Sequence, residues 1–343
     1  MNYQLYTGAY TDGQPGAGVA FWEFDGSVLT EVRRVDGLRN PSYVLPKGKR
    51  LYAVEELPDR AGIACLSWEE GDAPQLLWHR GVPGAGLCHL TLSGSVLYAS
   101  GYDGGTLTGV EAASGELCYF QEFHGHGPNA ARQEKAHIHS CQESPDGSRL
   151  LVADLGTDRM YQFLLQEEGK LVPDGEQPWI QTGPGQGPRH FAFHPNGKWM
   201  YLVTELDSSL LVYRYENHRL EQVGEYSLLE AGDPEESLAA DIHLTADGRF
   251  LYVSVRGADC LYCFQVEEDG ASLKQLGRFS TEGSWPRNFS LSPDGKFVAV
   301  ANQQAGSLVI FSRDETTGLL GEVRCQVQVP QISCVKWGLE RND

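Results

Sequence analysis

The chain has no surplus of positive charge. Its 343 residues include 27 Lys and Arg against 46 Asp and Glu, a formal net charge of −19. Such a surface repels nucleic acid and anionic membranes, so neither is expected as a partner. An anionic ligand would need a local basic cluster to attract it against that field. No apolar run is long enough to cross a bilayer. The start, MNYQLYTGAYT, lacks the basic segment and apolar stretch of a secretory signal, and it already alternates like a strand. Cysteine is sparse, with eight at positions 65, 88, 118, 141, 260, 263, 325 and 334. That is too few for a disulfide scaffold, and the expectation is mostly buried thiols in a reducing cytoplasm. Cys260 and Cys263 form an isolated C-x-x-C within a predicted strand, where residues three apart point to opposite faces. No second cysteine or histidine pair completes a zinc set around them. The G-x-S-x-G elbow of a serine hydrolase is missing as well, and helical periodicity is nearly absent.

What is present is a repeat. PKGK, LSGS, PDGS, PNGK, ADGR and PDGK each precede a short apolar strand, and their glycines are Gly48, Gly94, Gly147, Gly197, Gly248 and Gly295. The gaps between them are 46, 53, 50, 51 and 47 residues. Glycine suits the positive-φ position of a hairpin turn. A period near fifty with about four short strands per unit predicts an all-β fold, a β-propeller of four-stranded blades. Six turns are visible. The C-terminal PQISCVKWG resembles a strand before a turn, and the N-terminal YQLYTGAYT one after it. Together they supply a seventh blade that closes the ring, so residues 1–343 read as one propeller domain.

In a propeller blade the innermost strand starts, and the second strand ends, on the same face of the disc. Arg189 stands at such a start and Glu205 at such an end. Carried round the ring, the starts are expected at Tyr43, His89, His139, His190, His243, Asn288 and Cys334, with Arg189 and Arg287 one position earlier. The ends are Tyr10, Glu56, Tyr102, Leu155, Glu205, Arg256 and Asn302. This predicts a polar channel mouth, where propellers place ligand sites. The competing role for His89, His190 and His243 is a repeated set of inter-blade hydrogen bonds. His124, His126, His137 and His139 lie close in sequence, but no carboxylate is held at fixed spacing beside them. No metal and no cofactor is therefore expected.

The stretches YTGAYT, NPSYV, AHIHS, VADLGTDRMYQF, GPRHFAFHPNGKWMYLVTELDSSLLVYRY, HLTADGRFLYVSVRG and PRNFSLSPDGKFVAVANQQAGSLVIF span essentially the full chain. In combination they resemble the lactonase family of seven-bladed propellers, which includes bacterial propeller-type 6-phosphogluconolactonase and fungal carboxy-cis,cis-muconate cyclase. The resemblance implies a catalytic set formed by the histidine of AHIHS (His139 or His137), Arg189, Glu205 and Arg256. The mouth positions His137, Arg287, Asn288 and Glu56 are expected to bind substrate. The family's usual SNRGH is SVRGA here, with Val255 and Ala258 in place of two polar residues.

These groups suit lactone opening. A carboxylate, Glu205, can take the proton of attacking water, guanidinium groups can clamp an anion or an oxyanion, and histidine can protonate the leaving alkoxide. The expected substrate is a small anionic sugar lactone, 6-phosphogluconolactone above others, for a cytoplasmic monomer or weak homodimer. Lactone formation on another carboxylated substrate needs similar groups. A non-catalytic binding propeller would instead show a large patch on the disc and no basic cluster at the axis.

Overall fold

At each turn the chain reverses around a short carboxylate or hydroxyl motif. In the last of them Asp294 Oδ1 accepts hydrogen bonds from Ser292 Oγ (2.7 Å) and the Lys296 amide (3.2 Å), while the Tyr3 hydroxyl donates to Oδ2 (2.7 Å). Gly295 completes the reversal at φ +75°, and Gly147, Gly197 and Gly248 adopt +70° to +74°. A side chain is strained there, which explains the recurring glycine.

The computed structural model describes residues 3–13, 18–68 and 73–338. They form seven antiparallel sheets arranged as a seven-bladed β-propeller. Blade 1 joins the two ends of the chain, with Ile332–Trp337 innermost, then Tyr3–Ala9, Val19–Phe24 and Leu29–Val35. Leu5 pairs with Trp337 and Gly8 with Cys334, the closure expected from the half-blades. The inner strands of the other blades are Val44–Lys47 (blade 2), Leu87–Ser93 (blade 3), Ile138–Glu143 (blade 4), Pro188–Phe193 (blade 5), Leu238–Leu244 (blade 6) and Pro286–Leu291 (blade 7). Blade 4 splits its outer strand into Leu171–Pro173 and Trp179–Gln181, both paired with Arg159–Leu165. A single 3₁₀ turn, Glu167–Gly169, is the only helix among the described residues.

The core lies between blades. Leu251, Val253 and Val255 of blade 6 pack with Tyr201, Val203, Leu210 and Val212 of blade 5. On the other side of blade 6, Tyr252, Leu261 and Cys263 pack with Phe289, Val298 and Val300 of blade 7. Strand alternation thus sends Cys260 and Cys263 into different interfaces, as the three-residue spacing requires. Val255 and Ala258 both belong to the blade 5–6 interface, so these departures from the family pattern fill core.

Candidate functional site

The mouth is built by β-bulges. In blades 3, 4, 5 and 7 the pairing of the inner strand with the second strand skips one residue, from Leu87 to His89, Ile138 to Ser140, Pro188 to His190 and Pro286 to Asn288. The extra residues are Cys88, His139, Arg189 and Arg287. A bulge releases a side chain from the ladder and re-aims it.

This corrects the expected register at two places. His139 aligns with Arg189 and Arg287, and Ser140 takes the position equivalent to His190. In blade 6 Ile242 pairs with Val253, which puts Asp241, not His243, at that level. Counting back from the turns missed both, because a bulge changes the count without changing the residue types around it. The inter-blade role does hold for His190, whose Nδ1 lies 2.8 Å from Asp241 Oδ1. His243 Nε2 reaches Asp241 Oδ2 within its own strand at 3.0 Å. His89 does neither, and its buried Nδ1 has no hydrogen-bond partner.

Glu205 is the hub of the mouth. Its Oε2 accepts from Arg189 Nε at 2.8 Å and lies 3.0 Å from Arg256 Nη2 and 3.7 Å from His139 Nε2. Its Oε1 accepts from Arg132 Nη2. Glu205, Arg189, Arg256 and His139 are all buried. Burial alone would raise the Glu205 carboxyl, but the guanidiniums of Arg256 and Arg189, with Arg132, hold it well below the usual carboxylate range. Burial and the neighbouring Arg189 push His139 well down, so its imidazole is neutral. Arg256 donates its Nη2 to the Ala239 carbonyl and lies 5.4 Å over the Trp285 ring, while its buried Nε has no partner.

Three blades away, Glu56 occupies the same register position as Glu205. Oε2 accepts from the Tyr10 hydroxyl at 2.9 Å and from Ser42 Oγ. Arg287 Nη2 stands 4.0 Å from Oε1, and the Arg287 guanidinium lies 5.7 Å over the Tyr10 ring. Burial raises the Glu56 carboxyl above its ordinary value, against the pull of Arg287 and the two hydroxyls.

Two expected ligand contacts are otherwise engaged. Asn288 donates Nδ2 to Asp241 and accepts the Val335 amide at 2.8 Å, linking blades 6, 7 and 1. His137 is stacked on Tyr102 at 4.3 Å, with Nδ1 at the Tyr102 carbonyl (2.9 Å) and Nε2 near Glu134. Of the two histidines in AHIHS, His139 is the one that faces Glu205. Arg132 escaped sequence reading because it sits in the loop between Glu122 and Ile138, outside any repeat register. Buried Gln133 anchors this loop through the Leu155 carbonyl and Asp158. Trp285 was missed too. It precedes the inner strand of blade 7 with φ +64° and its amide donates to Asp259 Oδ1 at 2.7 Å.

His124 and His126 are exposed. Among the described residues no group of three or more His, Cys, Asp or Glu side chains is placed to hold a metal. The Cys88 thiol, 3.9 Å from His139 Nδ1, is pushed up by burial and then by the charge of Glu56, which unfits it as a nucleophile. The mouth therefore offers clustered guanidiniums with open donors, two carboxylates of unlike basicity and a neutral imidazole.

A family model for the lactonase seven-bladed β-propeller matches residues 4–337. A 6-phosphogluconolactonase of Bacillus subtilis is 32% identical over 98% of each chain. Another of that name, from Formosa agariphila, is 33% identical over 92% of this chain and 94% of its own. The solved periplasmic gluconolactonase of Pseudomonas aeruginosa superposes with a TM-score of 0.91 at 30% identity, covering 98% of this chain and 99% of its own.

Proposed function

The chain belongs to the lactonase family of seven-bladed β-propellers, and from that premise we propose that it hydrolyses a sugar lactone, 6-phosphogluconolactone first among candidates, at the Glu205 mouth. The observation that carries this reading is the gathering of Arg132, Arg189 and Arg256 on one buried carboxylate. A fixed anion holds these guanidiniums at fixed spacing without neutralising the whole set. Three positive charges against one leave the mouth net positive inside a chain of net charge −19. The basic cluster that an anionic substrate requires is thereby supplied locally.

Hydrolysis of a lactone adds water to the ester carbonyl, passes through an oxyanion and breaks the ring C–O bond. The buried Nε of Arg256 lacks a partner, and the Arg287 guanidinium has no carboxylate closer than 4.0 Å. These donors suit an oxyanion and the substrate's own anionic group. Glu205 fits the part of an electrostatic anchor better than that of a base, since three guanidiniums oppose its protonation. His139, neutral and beside Oε2, holds that carboxylate from the remaining side. Asn288 and His137 shape the walls through their contacts with neighbouring groups. The ring works as one domain in this reading, without metal, cofactor, nucleic acid or membrane, as a cytoplasmic monomer or weak homodimer.

The test is ring opening of 6-phosphogluconolactone and of unphosphorylated gluconolactone, with and without chelator, after subtraction of spontaneous hydrolysis. Acceleration that survives chelation and favours the phosphorylated lactone is expected. No acceleration of either lactone would refute the reading, and loss on chelation restored by a divalent ion would refute its metal-free form. Preference for the unphosphorylated lactone would move the substrate.

A further inference from the structure

We propose that Glu56 is the carboxylate that accepts the proton of the attacking water, an assignment that rests on the lactonase reading. The two mouth glutamates are equivalent in register and opposite in surroundings. Glu205 has both oxygens taken by guanidinium groups, and its side chain is 3% exposed. A proton arriving there would have to displace an ion pair. Glu56 is 17% exposed and held from one side only, with the Tyr10 and Ser42 hydroxyls both on Oε2. That grip fixes the plane of the carboxylate and leaves Oε1 open, with Arg287 standing off at 4.0 Å.

The space between Oε1 and the Arg287 guanidinium suits a water on one side and the lactone carbonyl on the other. The step balances within the site. The water oxygen bonds to the carbonyl carbon as its proton passes to Glu56 Oε1, and the carbonyl π pair moves onto oxygen beside a guanidinium. Collapse of that intermediate re-forms the C=O bond and breaks the ring C–O bond. Glu56 returns its proton to the departing alkoxide, so lactone plus water becomes hydroxy acid. Burial favours the protonated form of Glu56, which brings its basicity closer to working pH than that of Glu205.

Three variants decide the matter, with ring opening followed across pH. Glu56→Gln should lower kcat by ~10²–10⁴-fold with KM changed little, and the acid limb of kcat/KM should vanish. Glu56→Asp should regain part of the loss. Tyr10→Phe removes one hydroxyl donor from Oε2, so the acid limb should move to higher pH. A folded Glu56→Gln with wild-type kcat and an unaltered acid limb would overturn the assignment. If Glu56→Gln does not fold, an unmoved acid limb in Tyr10→Phe would overturn it instead. Wild-type protein that accelerates neither lactone would bring down the lactonase reading itself, an outcome separate from these.

Discussion

On the face where the hairpins turn, each aspartate binds groups two residues away. Asp146 takes Ser144 and Ser148, Asp247 takes Thr245 and Arg249, and Asp294 takes Ser292 and Lys296. On the mouth face, Glu205 binds Arg132 from a long loop, His139 from blade 4, Arg189 from its own blade and Arg256 from blade 6. The turn aspartates organise one hairpin each and remain wetted. Glu205 organises three blades and is dry. A local anion can be lost with its hairpin intact, whereas a shared buried anion leaves several cations stranded together.

The largest blow should fall on both faces at once. Deleting residues 332–343 removes the inner strand of blade 1 and exposes the edge of Tyr3–Ala9. Loss of a cooperative thermal transition is expected by calorimetry, and a variant that still melts sharply near the parent temperature would contradict ring closure as the source of stability.

Next in size comes Glu205→Gln. Its three guanidiniums would lose their counter-charge, at a cost of about 3–5 kcal/mol in denaturant unfolding. Arg189→Lys in the same cluster keeps the charge but loses the planar fork, so KM should rise more than kcat falls.

Acid should separate the two faces by a smaller margin. Below pH ~6.5 an unfolded imidazole takes a proton, but buried His190 is held down to about 4 by burial and Arg189. The unfolded state therefore binds more protons in that window, and stability falls as pH drops from about 6.5 to 4. Glu205 is depressed in the folded state. Its contribution is complete above the unfolded carboxylate value of ~4.3 and is lost as pH falls below it. Melting temperature against pH should decline in these two stages, and His190→Gln should flatten the first.

Arg287→Ala should leave melting nearly unchanged, since no hydrogen bond is lost. If the guanidinium clamps the substrate's anion, KM for the phosphorylated lactone should rise by about 10–100-fold, the worth of a charge-assisted hydrogen bond. The smallest effect is expected on the turn face. Asp247→Asn should cost about 1 kcal/mol or less, because the side chain is half-exposed and its bonds are screened.

The same contrast decides what was legible in the sequence. The turns announce themselves, because Asp or Asn, Gly and the following strand lie within a few residues. From their spacing came the blade count and the closure of the ring. Arg189, Glu205 and Arg256 could be brought to one face by register alone, since strand ends repeat with the blade. His139 and Asp241 could not, because a bulge adds one residue invisibly. Arg132 had no register to follow, and its place depends on how Gln133 ties a loop across blade 4. The unlike surroundings of Glu56 and Glu205 are equally hidden, being set by partners 14 to 73 residues away.

The shared blade also sets an order of events during synthesis. Tyr3–Ala9 emerges from the ribosome first, but its inner partner Ile332–Trp337 comes more than three hundred residues later. At ~5–20 residues per second that interval is roughly 15–65 s. Throughout it the earliest strand keeps a bare hydrogen-bonding edge, while six other blades are made and stacked. A nascent chain of this kind can bury most of its core before release, yet its first-made sheet is completed last. The interval before closure is when the unpaired edge is open to strands of neighbouring chains.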